Sequence, residues 1–271
     1  MKLNTGLNFT HPLFQRPQMS RAIFSVWMRS YLYFQKSLLH SLFWIIWEPV
    51  LYLLALGFGV GYYVQSINGM PYIQFFLPAM LVNTSMFVPF FENTYSVFTK
   101  LSAQKTYHTI ILTPVNPDEI TLGEILWSIS KSFLSVLGIT LVAAAFGLLH
   151  TGVAYLIATF LVLILVSWVF ASLGMFFSTV AKHYDFFTSV SSGFIIPLSL
   201  FSGTYFPLDQ QPQWLQWVAS LFPLSHGVSL VRNLMLEKLS WMMLFHLFIL
   251  LLYALVFTQL SLYRMRKKLI L

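Results

Sequence analysis

Hydrophobic and polar positions alternate along this chain on two scales. From Met19 to Ser37 the alternation is short. At about 100° per residue, Gln18, Arg21, Ser25, Arg29 and Lys36 fall on one narrow arc, while Ile23, Phe24, Trp27, Met28, Tyr31 and Phe34 lie mainly elsewhere. That pattern predicts a basic amphipathic helix over 19–37, lying in a membrane interface or serving as a juxtamembrane anchor. Beyond Ser37 the apolar runs lengthen. About 20 apolar residues cross a bilayer core, and six runs reach that length: 38–63, 73–97, 122–148, 153–180, 187–206 and 241–263. The third is the least regular, with Glu124 and Lys131 in its first half. Lys131 is expected to snorkel toward the nearer interface.

The stretch from Phe201 to Arg232 breaks the pattern. Pro207, Pro212 and Pro223 cut it into short pieces, because proline cannot donate to a helix ladder. Trp214, Leu215, Trp217, Val218, Leu221 and Phe222 make the last piece strongly apolar. A bent apolar segment beside spans suggests a re-entrant helical hairpin between spans five and six. Irregular backbone at membrane depth survives where protein buries it or where it lines a wet cavity.

Composition narrows the class. The chain has 271 residues, 58% hydrophobic and 8% charged, against about 25% charged in a soluble domain. The fold class is therefore an all-α integral membrane protein: a tail over 1–18, the interfacial helix, one six-span domain over 38–263 and a tail over 264–271. Residues 1–20 are polar and hold Pro12 and Pro17, so no cleavable leader is expected there. With no cysteine, thiolate-metal and disulfide chemistry is excluded. The net charge of +7 is no nucleic-acid signal, because its carriers cluster on one side of the spans. Lys2, Arg16, Arg21, Arg29 and Lys36 precede the first span, Lys100 and Lys105 follow the second, Lys182 follows the fourth, and Arg264, Arg266, Lys267 and Lys268 close the chain. The other side carries only Arg232 and Lys238. The positive-inside rule then puts both termini in the cytoplasm.

Few residues invite chemistry. Glu48, beside Pro49, and Glu92, after Pro89, lie within spans. Ionisable residues there face a bundle interior or a water-filled cavity. Either could wall or gate a path for cargo, and either could be a hydrogen-bonded packing residue. Gly57, Gly59 and Gly61 sit inside an apolar span and lack the lysine and hydroxyl of a phosphate loop, so they permit close helix approach instead. No nucleotide site is evident. The histidines at 40, 108, 150, 183, 226 and 246 show no paired i, i+4 ligand spacing. Tyr62, Tyr63, Trp214, Trp217 and Trp241 fit an aromatic belt, or could stack on sugar rings in an exporter of glycans. In the loop from Lys100 to Glu124, Pro114 and Pro117 end one element and Asp118 and Glu119 open the next. The apolar Thr109–Leu112 run could dock a soluble partner, or form a turn buried against the membrane.

Phe201-Ser202-Gly203, then Pro207, Pro223 and Arg232, resemble the signature of the ABC-2 family of ABC transporter permeases. Trp47-Glu48-Pro49 and Leu112-Thr113-Pro114-Val115 resemble its nodulation-type, lipo-oligosaccharide-exporting branch. The resemblance implies the membrane subunit of an exporter in the bacterial inner membrane, paired with a second copy and with a separate ATPase that binds ATP and magnesium. It implies no cofactor on this chain, and a lipid-linked glycan, glycolipid or other amphipathic cargo. It makes the segment around Gln104–Leu112, including Lys105, Tyr107, His108 and Ile110, the coupling helix that meets the ATPase, acting with Arg21 and Arg29 of the connecting helix. Glu48, Glu92, Phe201, Tyr205, Trp214 and Trp217 would contact or gate cargo. Two other classes remain open: a secondary transporter or channel without an ATPase, and an intramembrane lipid-modifying enzyme. The second needs a cluster of catalytic polar residues that the sequence does not display.

Overall fold

The computed structural model describes residues 17, 19–67 and 69–270, with the side chains of residues 40, 44, 45, 48 and 49 excepted. The side chain of Glu48 therefore lies outside the described residues. The chain is almost wholly helical. Helix α1 is Ala22–Lys36, and α2 runs over 38–64, with π-type turns at Phe43–Trp47 and Leu53–Val60. A two-residue ladder, Ser66–Ile67 against Met70–Pro71, closes the following turn and is the one departure from an all-α reading among the described residues. Helix α3 is Tyr72–Ala103. The short α4 is Thr106–Ile110, and α5 is Pro117–Ala145. Next come α6 (Val153–Val180), α7 (Asp185–Phe201), α8 (Gln213–Ser220), α9 (Pro223–Met235) and α10 (Met242–Ile270).

Four of these, α3, α5, α6 and α10, are long and apolar enough to cross a membrane, and the apolar helices Val50–Val64 and Asp185–Phe201 are shorter. Local chemistry explains several boundaries. At α5, Asn116 caps the helix, Pro117 occupies the first turn, and the Glu119 carboxylate accepts the Asn116 N–H at 2.8 Å. This is a reciprocal capping box with a pre-set first residue. In α3, Pro89 cannot donate to the carbonyl four residues back, and a π-type turn follows at Glu92–Ser96.

Helix α6 is the centre of the bundle, packed against α3, α5, α9 and α10. In a bilayer the lipid is as apolar as a leucine side chain, so close packing and interhelical hydrogen bonds must hold the helices together. Both are present. A side chain at Gly174 would strike the Phe90 carbonyl of α3 at 2.7 Å, and one at Gly57 would displace the tip of Ile73. Asn93 Nδ2 donates to Ser128 Oγ (3.0 Å) and to the Ala171 carbonyl (2.9 Å), tying α3, α5 and α6 together. Trp168 Nε1 donates to Thr258 Oγ1 at 2.9 Å, and Ser261 Oγ to the Ser172 carbonyl at 2.7 Å, joining α6 to α10. The outer face of α10, with Phe245, Phe248, Leu252 and Leu255, is left exposed.

Candidate functional site

Most charged side chains of the bundle gather at one end. There α1 lies across the first half of α5, and the contact is close because Gly123 has no side chain. A Cβ at that position would meet Val26 Cβ at 2.7 Å and the Ile23 carbonyl at 2.9 Å. Trp27 Nε1 donates to Ser130 Oγ at 3.1 Å, and Phe34 meets Trp127 edge-on, with ring centroids 5.5 Å apart. This seat brings Arg29 to Glu124. Arg29 Nη2 donates to Glu124 Oε1 at 2.6 Å, and Lys100 Nζ of α3 donates to Oε2 at 2.8 Å. Glu124 is 1% exposed, so one buried carboxylate holds three elements through two cations. Removing either charge type from such a buried set strands the other in a medium of low polarity.

A second pair lies deeper. Lys131 Nζ of α5 donates to Glu92 Oε2 of α3 at 2.7 Å, and Trp127 Nε1 donates to Glu92 Oε1 at 3.2 Å. The lysine, expected to reach toward the nearer interface, is met by a carboxylate on the neighbouring helix. Between the two pairs is a cavity of about 560 Å³. Its walls come from α1, the start of α2, the second half of α3, α5 and Tyr184.

Helix α4 sits beside this cluster. Lys105, in the left-handed backbone region at φ 53°, turns the chain from α3 into α4. Tyr107 points inward and is fully buried among Val26, Val97, Leu101 and Ile120, with the Arg29 guanidinium 5.9 Å from its ring centroid. Burial, and the Glu124 carboxylate close by, push its phenol well above the usual tyrosine range. Gln104, Lys105 and His108 face outward, Ile110 is half-buried, and Leu112 just beyond α4 is 85% exposed. Of the expected coupling residues, Tyr107 is therefore an anchor, Arg29 is tied into the Glu124 cluster, and Gln104, Lys105 and His108 form the outer face. Arg21 is exposed at the start of α1. Arg266 of α10 closes the same end, gripping Asp118 with Nε at 2.5 Å and Nη2 at 2.6 Å.

The other expected path residues lie at the opposite end. Tyr205 packs on Phe76, with ring centroids 5.9 Å apart, and Phe76 precedes Glu92 by sixteen residues of α3, roughly 24 Å at the helical rise. Phe201 is partly exposed, and Trp214 and Trp217 of α8 are mostly so. Helices α8 and α9 form a pair between α7 and α10, and α9 is the buried member, running from Pro223 through Leu234 against α3, α6 and α10. Arg232 on α9 donates to the Gly203 carbonyl at 2.8 Å and the Phe75 carbonyl at 3.3 Å, and its guanidinium lies 3.8 Å from the Phe75 ring centroid.

His226 and His246, read separately in the sequence, are brought together here, Nδ1 to Nδ1 at 2.7 Å. His226 Nε2 faces the Ser220 carbonyl at 3.0 Å. A carbonyl only accepts, so Nε2 carries the hydrogen. In the neutral pair His226 Nδ1 is then the acceptor and His246 the donor.

Spacing could not reveal Lys131, Lys100, Glu124, Asp118 and Arg266 as partners. The one local signal was that Glu124 and Lys131 interrupt an apolar run, which marks residues needing partners on other helices.

A family model described as ABC-2 type transporter matches residues 21–236. The chain is 36% identical to "Nodulation protein J" of Rhizobium leguminosarum bv. trifolii over 212 residues, covering 78% of this chain and 80% of that protein. It is 35% identical to "Nodulation protein J" of Bradyrhizobium diazoefficiens over 245 residues, covering 89% and 92%. It is 22% identical to "Inner membrane transport permease YadH" of Escherichia coli over 208 residues, covering 77% and 80%. The matched span holds both charged pairs of the cavity and the Ser202-Gly203 to Arg232 tie, and on this match the chain belongs to the ABC-2 type transporter family, as a membrane permease.

Proposed function

We propose that this chain is the membrane-spanning subunit of an ATP-driven exporter, working as two copies with a separate ATPase in a bacterial inner membrane. In this reading α2 and α7 complete six spans, α8 and α9 form a re-entrant pair, and both chain ends face the cytoplasm. The cargo is a lipid-linked glycan, a glycolipid or another amphipathic molecule. ATP and magnesium belong to the partner.

The arrangement of α4 is the observation that carries the reading. Its outer face offers Lys105, His108 and, next to it, Leu112, while Tyr107 roots it in the cluster that Glu124 shares with α1 and α3. A push on α4 would be delivered to α1, α3 and α5 as one body, which is the rigid coupling that a two-state transporter needs. The relatives named a transport permease and nodulation proteins support the class.

Co-expression with the ATPase encoded nearest to this chain tests it. The ATPase should co-purify, and a single cysteine at His108 or Leu112 should cross-link to it. Absence of any ATPase, together with unchanged transport after replacement of Gln104–Leu112, would overturn the proposal. The Glu92–Lys131 pair favours a second reading, proton-driven transport without an ATPase. Transport that survives ATP depletion but stops when the proton gradient is collapsed would select it.

A further inference from the structure

The cavity between α1 and α3 has a lining that points to a ligand class. We propose that it receives the sugar part of an amphipathic cargo, as the first docking position of the molecule to be moved. This rests on the export reading and adds to it a place and a recognition chemistry.

Its volume of about 560 Å³ falls within the range of about 300–1,000 Å³ typical of small-molecule sites. Each of its cations already touches a carboxylate: Lys131 touches Glu92, and Arg29 and Lys100 share Glu124 behind the wall, which leaves the set at a net charge of +1. A phosphate entering here would meet carboxylates within contact of every cation it could seek. A sugar hydroxyl both donates and accepts, so it can bond a carboxylate and an ammonium of one pair without breaking it. The rest of the wall suits the same chemistry. Ser37, Ser41, Ser96, Thr99 and Thr106 line it with hydroxyls, beside the aromatic rings of Tyr95 and Trp127.

Two donors are left over. Ser30 is 7% exposed, lines the cavity, and its Oγ has no hydrogen-bond partner within the described residues. Arg29 Nη1 is likewise buried and unmatched, although Nη2 of the same group is engaged. Buried polar groups are seldom left so, and a polyhydroxylated ligand is a natural partner. Helix α1, which lines the cavity, carries the exposed apolar residues Phe24, Met28 and Leu32, so an acyl chain could lie along α1 while the head enters.

The absence of cysteine makes the test direct. The full chain, with any ATPase that accompanies it, is placed in lipid nanodiscs as Ser96→Cys, with Lys238→Cys as an exposed reference. Maleimide labelling is followed without ATP. Probes are octyl glucoside below its solubilising concentration, octyl phosphate and an octyl polyoxyethylene ether. At ten times its Kd, octyl glucoside should slow labelling of Ser96→Cys about tenfold and leave Lys238→Cys unchanged. Neither other probe should protect. Glu92→Gln should remove the protection. If that variant does not fold, the double Glu92→Gln/Lys131→Met, which strands no charge, should remove it in a folded protein. Protection by octyl phosphate alone would mean an anionic head-group site, equal protection by all three would mean an alkyl-chain site, and no protection would mean no site; each overturns the proposal, as does full protection in the folded double variant. Protection with no ATPase co-purifying, together with transport unchanged by replacement of Gln104–Leu112, would sink the export reading and leave the sugar site standing; an ATPase that co-purifies without protection does the reverse.

Discussion

Arg232 donates to the carbonyl of Gly203 across 29 residues of sequence, at 2.8 Å. Gly203 sits at φ +77°, a region open to glycine, and a Cβ there would meet Leu208 Cγ at 3.0 Å. Ser202, fully buried, turns its hydroxyl back to the Leu198 carbonyl at 2.6 Å. The Ser-Gly and the later arginine of the signature are thus two halves of one contact, which fastens α9 to the end of α7. Arg232→Ala should lose about 3 kcal/mol from two charge-assisted hydrogen bonds and a cation–π contact. Arg232→Lys should recover less than half, because an ammonium lacks the planar fork. Thermal denaturation of the purified protein in detergent checks both, and equal stability of all three would refute the role.

The Glu92–Lys131 pair predicts a characteristic mutant cycle. Glu92→Gln or Lys131→Met alone leaves one charge in the bundle and should destabilise by about 3–5 kcal/mol. The double variant should be milder than either single one. Additive losses in denaturation midpoints would show that the two groups act independently.

Gly123 is where α1 meets α5, and Gly123→Leu should pry them apart. Overpacking of this kind costs about 1–3 kcal/mol. A cysteine at Val26, buried in the native seat, should become labelled by maleimide only in the Gly123→Leu background.

Tyr107 supplies a pH test whose sign is fixed. Its folded pKa is raised, so the folded state holds the phenolic proton more tightly than the unfolded chain. That stability is fully present below the unfolded value of about 10 and is lost as pH rises through the folded one. Tyr107→Phe keeps the ring and removes the proton. Stability of the wild type should fall more steeply above pH 10 than that of Tyr107→Phe, with parallel curves below it.

Helix placement was legible because it depends on local pattern. The run over 153–180 matches α6 residue for residue, and the prolines and acids at 114–119 mark the start of α5. The face of Arg29 could be read only in part: periodicity put it on a polar arc, yet its partner Glu124 is 95 residues away. No window of sequence links Lys131 with Glu92 or His226 with His246, since each meeting depends on how helices cross. The π-type turns of α2 and α3 also escaped notice, for nothing in composition separates them from α-helix apart from a nearby proline. The inward turn of Tyr107 was not legible either, because a five-residue helix is too short for a hydrophobic stripe to fix its rotation.

The clasp between Asp118 and Arg266 joins the opening turn of α5 to the last turns of α10, 148 positions later. Translation must therefore run on through α6, α7, α8, α9 and most of α10 before that carboxylate can find this guanidinium. This clasp can close only after α10 has been made. A fusion or nick placed upstream of Arg266 would strike assembly rather than a dispensable tail, which makes the far side of Lys268 the safer place for a reporter.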